Sequence, residues 1–327
     1  MQIFGRGRAR QIVRDLYWAV LGREPDAEGA RAYESLIREI GPERAISRML
    51  KAFRESQEYQ GRATSMIAAH VNATLALQGG RRINGRPVGH LVSLGSFCLP
   101  GVIFRDNGLR RYSLPFDWIF SAPPMVRDCL ADDFAEFLDR RHHRSISSGR
   151  EEPGAEHVSY QERYHLPAVF AHHDPTREAD YQHFTRCVAR FRQVIRTEDA
   201  KLFLIVGRPN HNLSSEFPLL LEALSRATTN FALLGIDLLD PTEPGLSSVV
   251  SVVKTGEHAL YRFTPAAFSP VGTFFPDKLD EWALLRLIYR YELDLKDSPW
   301  AEGEATQSTQ RDSEKSDRDH EPEHALP

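Results

Sequence analysis

Apolar residues recur every three to four positions from Ile12 to Leu21 (Ile12, Val13, Leu16, Tyr17, Val20, Leu21), which predicts an amphipathic helix over about residues 9–21. Gly22-Arg23-Glu24-Pro25-Asp26 interrupts the pattern, and Asp26 is placed to cap a second helix carrying Ala30, Tyr33, Leu36, Ile37 and Ile40. Gly41-Pro42 ends that helix and opens a third, with Ile46, Met49, Leu50 and Phe53 on one face. Ser56 to Leu77 reads as a fourth, longer helix. Four helices with short loops predict a small all-α bundle, and none of its residues suggests chemistry.

After a Gly- and Arg-rich stretch, Gln78 to Pro87, the pattern changes to short apolar runs alternating with helical periodicity. Leu91, Val92 and Leu94 predict a strand that turns at Gly95 into a helix ending at Asn107-Gly108. Further strands are expected at 157–164, 167–171, 201–206 and 231–236. Strands at 248–254 and 258–263 would form a hairpin about Thr255-Gly256-Glu257. Helices are expected from the Pro123-Pro124 pair to Leu138 and over 181–195, 217–224 and 279–291, with an exposed basic run at 140–144 and a loop at 147–154. From about Pro299 the chain is acidic, polar and nearly free of apolar residues, which predicts a disordered tail. The expected organisation is an N-terminal helical accessory domain (1–78), a linker (79–89), an α/β domain with a mixed sheet (90–298) and a disordered tail (299–327).

Composition narrows the function classes. In 327 residues, 41% are hydrophobic and the formal net charge is −4, which allows a sizeable core and gives no reason to expect nucleic acid. The three cysteines, Cys98, Cys129 and Cys187, are far apart and form no CxxC, which argues against a disulfide framework or a thiolate zinc site. They suit a reducing compartment, and without an apolar leader or a membrane-length run the expectation is a cytoplasmic protein with no transmembrane segment. No cofactor or metal is expected.

The candidate chemistry centres on Gly95-Ser96-Phe97-Cys98. A thiol at a strand-to-helix turn meets the positive end of the helix dipole, which favours thiolate, and nearby backbone N–H groups could hold an oxyanion. Gly95 permits the tight turn, and Pro100 suits the helix's first turn. A buried core cysteine behind the same turn explains the stretch equally well. A thiol nucleophile also needs a base with an orienting partner. His172 and His173 stand at a strand end beside Asp174, which could orient an imidazole or simply cap the next helix. His211 between Asn210 and Asn212 offers a second choice, where a polar turn is the plainer explanation. A metal at the double histidine has no third ligand at suitable spacing.

Two resemblances add to this reading. Leu21, Gly22, Arg23, Pro25, Asp26, Gly29, Ser56, Glu58 and Tyr59 resemble a short helical domain of unknown function found in bacterial surface and glycosylation-associated proteins. That implies an accessory or docking module connected with cell-surface polysaccharide machinery. VSLGSFC (Val92–Cys98), PFDW (Pro115–Trp118) and the later HHD (His172–Asp174) before an Arg-rich helix resemble a bacterial family described as papain-like cysteine peptidases. The resemblance implies Cys98 as nucleophile, His173 as general base with Asp174 beside it, and Asp117 and Trp118 shaping the pocket, although Phe116 and Trp118 also fit plain core and Asp117 a turn. Gly95 and Ser96 are the expected oxyanion residues.

The expected function is a cysteine-dependent hydrolase or acyltransferase acting on an amide, ester or thioester in a peptide, acyl or glycan-linked substrate. One rival is an SGNH-like acylhydrolase using Ser96 or Cys98 with Asn210 as a donor, although Asp277-Lys278-Leu279-Asp280 lacks the histidine that such a fold needs. The other is a non-catalytic carbohydrate- or protein-binding module.

Overall fold

Unbroken apolar runs form the centre of a parallel sheet, because strands buried on both faces need no polar side. In the computed structural model, which describes residues 6–62, 80–146, 154–166, 168–240, 248–266 and 274–297, these runs are β1 (Val88–Ser93), β4 (Ala200–Gly207) and β5 (Phe231–Leu238). With β6 (Ser248–Thr255) and β7 (His258–Thr264) they make a five-stranded sheet in the order β1-β4-β5-β7-β6. The β1–β4, β4–β5 and β5–β7 pairs are parallel, and the tight turn at Thr255-Gly256-Glu257 makes β6 antiparallel to β7, so the sheet is mixed and the class α/β. A small hairpin, β2 (His143–Ile146) with β3 (Gly154–His157), stands apart from it.

The chain divides into two compact units. One takes in Met1–Gly80, Asp240–Ser248 and Thr264–Arg290, and the other Arg81–Leu239, Val249–Phe263 and Tyr291–Pro327. In the first unit lie α1 (Arg6–Leu16, continued as a π-helical turn to Leu21), α2 (Ala27–Ile40) and α3 (Pro42–Glu55). Residues 57–62 are helical, and the rest of the expected fourth helix lies outside the described residues. Asp26 caps α2 by accepting from the Gly29 amide at 2.8 Å, as its position in the sequence suggests. Ala9, Val13, Tyr17, Leu21, Ile37, Ala45, Met49 and Phe53 form the core, with Tyr17, Tyr33 and Phe53 edge to face. Arg23 holds Glu58 by two nitrogens at 2.5 and 2.8 Å, and Ser56 Oγ accepts from the Tyr59 amide. Asp26, Arg23, Ser56 and Glu58 therefore cap and clamp this unit. The last helix, numbered α9 below (Lys278–Ile288), groups with this unit and not with the sheet, and Asp277 at its start pairs with Arg54 at 3.6 Å.

In the second unit, the expected linker is folded. Ile83 and Arg86 exchange backbone hydrogen bonds around Asn84-Gly85, both at positive φ. Segment 291–296 runs along the outer side of β1, with Val88 N–H donating to Glu292 and Lys296 N–H to Gly89, which covers that sheet edge. The opposite edge, β6, leaves Val249, Val250 and Val252 exposed.

The helices of this unit are α4 (Leu99–Asp106), α5 (Pro123–Ala131), α6 (Val158–Tyr164), α7 (Glu178–Arg196) and α8 (Leu213–Ala227). Three expectations are corrected. The helix starts at the Pro-Pro pair as expected but stops at Ala131, because Asp133 and Phe134 take positive φ and turn Phe134 and Phe137 into the core. Residues 158–164 are helical instead of a strand: His157 Nδ1 accepts from the Tyr160 amide, and the two rings stack at 3.7 Å. The expected strand at 167–171 shrinks to a single bridge, Phe170 to Ala155, with Pro167 outside the described residues. The tail from Pro299 and the loop at 147–153 also lie outside them.

Candidate functional site

The site sits where parallel strands end, the usual place for ligands in such sheets. β1 runs beside β4 in the register Ser93 to Leu204, and the pairing continues as Leu94 N–H to Leu204 and Val206 N–H to Gly95. The chain then turns sharply. Gly95 has φ +77°, and a Cβ there would lie 2.6 Å from Ser121 Oγ and 3.0 Å from the Phe116 carbonyl, so only glycine fits. Ser96 follows at φ +86°, an uncommon conformation for a residue with a side chain. Ser121 holds the turn in place: its Oγ accepts from the Ser96 amide at 2.9 Å, and its own amide donates to the Ser96 carbonyl.

Cys98 occupies the N-cap of α4, 2% exposed. That helix packs close to the Pro115–Trp118 turn, since a Cβ on Gly101 would lie 2.5 Å from the Asp117 carbonyl. The thiol faces an imidazole, with Cys98 Sγ 3.5 Å from His172 Nε2. The Trp118 indole meets the His172 ring edge to face at 6.4 Å, and Arg105 and Arg110 each lie 5.4 Å from the Trp118 ring centre. At the end of β4, the Arg208 guanidinium lies over Phe97 at 4.5 Å.

The sequence-predicted residues separate into two groups. Cys98, His172 and Trp118 are brought together. His173 is not: its Nδ1 lies 3.1 Å from Asp180, and its ring stacks on His183 at 4.6 Å. Asp174 is buried and accepts from Ser145 Oγ at 2.8 Å and Thr176 Oγ at 2.6 Å, so its carboxylate shapes the loop leading into α7. Asp117 likewise accepts from the Leu114 amide at 2.8 Å and closes its own turn. The Gly95 amide donates to Ser93 Oγ and the Ser96 amide to Ser121, so both expected oxyanion donors are already engaged inside the protein. Asn210 is exposed on the 3-10 turn Pro209–His211 and is not joined to the pair. Sequence reasoning missed Ser121 and Arg208. The only signal for Arg208 was a charged residue directly after a buried strand.

Residues 89–235 match the model of the family "Putative papain-like cysteine peptidase (DUF1796)". The match spans less than half of the chain and takes in Cys98, His172 and Arg208, so this stretch is similar to a cysteine hydrolase, and the N-terminal helices fall outside it. No curated protein and no solved structure matches the chain. Among the described residues, no group of three or more His, Cys, Asp or Glu side chains could hold a metal, and no helix is long and apolar enough to cross a membrane.

Proposed function

We propose that the second unit is a thiol-dependent acyl hydrolase or acyltransferase in which Cys98 is the nucleophile and His172, in place of His173, is the general base. The 3.5 Å approach of Cys98 Sγ to His172 Nε2 carries the reading, and the papain-like match supports it. His172 takes the thiol proton as Sγ attacks the carbonyl carbon of an amide, ester or thioester. The tetrahedral intermediate collapses to an acyl-thioester on Cys98, and the leaving group departs with the proton from His172. Water or another acceptor, deprotonated by His172, then releases the acyl group and restores the thiol. A peptide substrate is the class that the match favours. The reaction requires that Cys98 remain a thiol, and Cys98 is free in the structure.

The test is the pH dependence of alkylation at Cys98 in the parent, His172→Ala and His173→Ala proteins. A free thiol has a pKa of about 8.5. The parent and His173→Ala profiles should lie below it, and His172→Ala should return the profile to it. Free-thiol behaviour in all three would leave the unit as a binding module.

A further inference from the structure

We infer that Arg208 forms an anion subsite beside Cys98, so that the acyl substrate carries a carboxylate close to the carbonyl that the thiol attacks. The inference rests on the thiol reading above, and its test can be read separately.

The placement follows from sheet register. Since Val206 pairs with Gly95, the residues just beyond each strand end, Arg208 and Phe97-Cys98, come out side by side. The guanidinium lies over the Phe97 ring at 4.5 Å and the Phe120 ring at 5.6 Å. Its Nε is buried and makes no hydrogen bond, and among the described residues no carboxylate lies within ion-pair distance of it. Other arginines of this unit are matched: Arg127 to Glu216 at 3.1 Å, Arg192 to Asp133 at 2.9 Å and Arg262 to Asp237 at 3.8 Å.

The half-buried Arg208 guanidinium has lost part of its hydration, and its cation–π contacts recover only part of that loss. Burial disfavours the charged form of Arg208, and Cys98 is the one group whose charge offsets this. The thiolate alone does not complete the site, because that charge disappears when the thiol is acylated. The Phe97 and Phe120 rings lie against the guanidinium, and a planar carboxylate is the group whose geometry matches a guanidinium with two parallel hydrogen bonds.

The experiment compares a charged and a neutral reagent of the same size at one atom. Full-length protein reacts with iodoacetate and with iodoacetamide, and mass spectrometry follows Cys98, with the fully buried Cys129 and Cys187 as internal references. The iodoacetate-to-iodoacetamide rate ratio in the parent should exceed that of a blocked free cysteine by about tenfold or more, the scale of one charge-assisted pair. Arg208→Gln should return the ratio to the free-thiol value, and Arg208→Lys should retain part of it. His172→Ala should slow both reagents at neutral pH and leave the preference intact, which separates this subsite from the base. An unchanged ratio in Arg208→Gln overturns the inference, even if both rates fall together, since Arg208 would then serve only the thiolate. Should Cys98 resist both reagents, or Arg208→Gln fail to fold, calorimetric titration of the parent with succinate decides. Binding that the neutral diamide does not reproduce supports the subsite, and no binding overturns it.

Discussion

Cys98 and His172 meet with Sγ 3.5 Å from Nε2 across 74 residues of chain, while His173, the next residue, is held by Asp180 on α7. Adjacent side chains on an irregular segment point in different directions, so a two-histidine sequence offers one imidazole to the thiol and the other to the scaffold.

The scaffold role of His173 predicts a particular split. His173→Ala should lower stability by about 1 kcal/mol through loss of the Asp180 contact and the stack on His183. Urea unfolding should show that loss while Cys98 reactivity persists. His172→Ala should do the reverse, and equal loss of reactivity in both variants would contradict the assignment.

The elbow makes a non-additive prediction. Gly95→Ala introduces a Cβ 2.6 Å from Ser121 Oγ at φ +77° and should destabilise by about 2–3 kcal/mol. Ser121→Ala leaves the buried Ser96 amide without its acceptor and should cost about 1–3 kcal/mol. In the double variant the clash with Oγ is gone, so the combined loss should be smaller than the sum. Strict additivity in denaturant titrations would show that the two residues do not act on each other.

His157 gives a pH prediction. Its Nε2 lies 3.0 Å from the Glu136 carbonyl, its Nδ1 accepts from the Tyr160 amide, and burial pushes its pKa down to about 4. The unfolded chain takes up this proton near the ordinary histidine pKa of about 6.5, so it binds more protons than the folded state between about 6.5 and 4. Stability should therefore fall as pH is lowered through that window. His157→Asn keeps a capping oxygen and removes the titration. Its stability, followed by urea midpoints at pH 7 and 5, should fall less than the parent's.

In the helical unit, the visible ion pair and the invisible close contact have unequal weight. Arg23 and Glu58 are each about 41% exposed, so Arg23→Ala should cost less than about 1 kcal/mol. A Cβ on Gly29 would lie 2.2 Å from Tyr17 Oη, and Gly29→Ala should cost more than Arg23→Ala in thermal unfolding. The opposite order would mean that Tyr17 moves aside freely.

Periodicity made much of the fold legible. Apolar runs revealed β4 and β5, and Gly-Pro and Asx signals marked α2 and α3, because those elements are set by local pattern and capping. The His157–Tyr164 segment was misread because Val158, Tyr160 and Tyr164 alternate as a strand would, while the stack of Tyr160 on His157 favours a helix. In the site, Cys98 was visible from its turn, but the choice between His172 and His173 was not. That choice depends on contacts with Asp180 and His183, which the order of residues does not reveal. Arg208 was hidden for a related reason: its neighbours come from β1, and only the pairing of Gly95 with Val206 brings them alongside.

Ser121 binds the elbow to the stretch that carries Trp118, through one hydroxyl and one amide. Mechanically, the Cys98 elbow and the Trp118 stretch form a single bracket joined to the sheet. The imidazole instead hangs from a short span between the Phe170 bridge and α7. Any tuning of the sulfur–nitrogen gap, by evolution or by a bound acyl group, falls to that suspended side, where Ser145, Thr176 and Asp180 act as the stays.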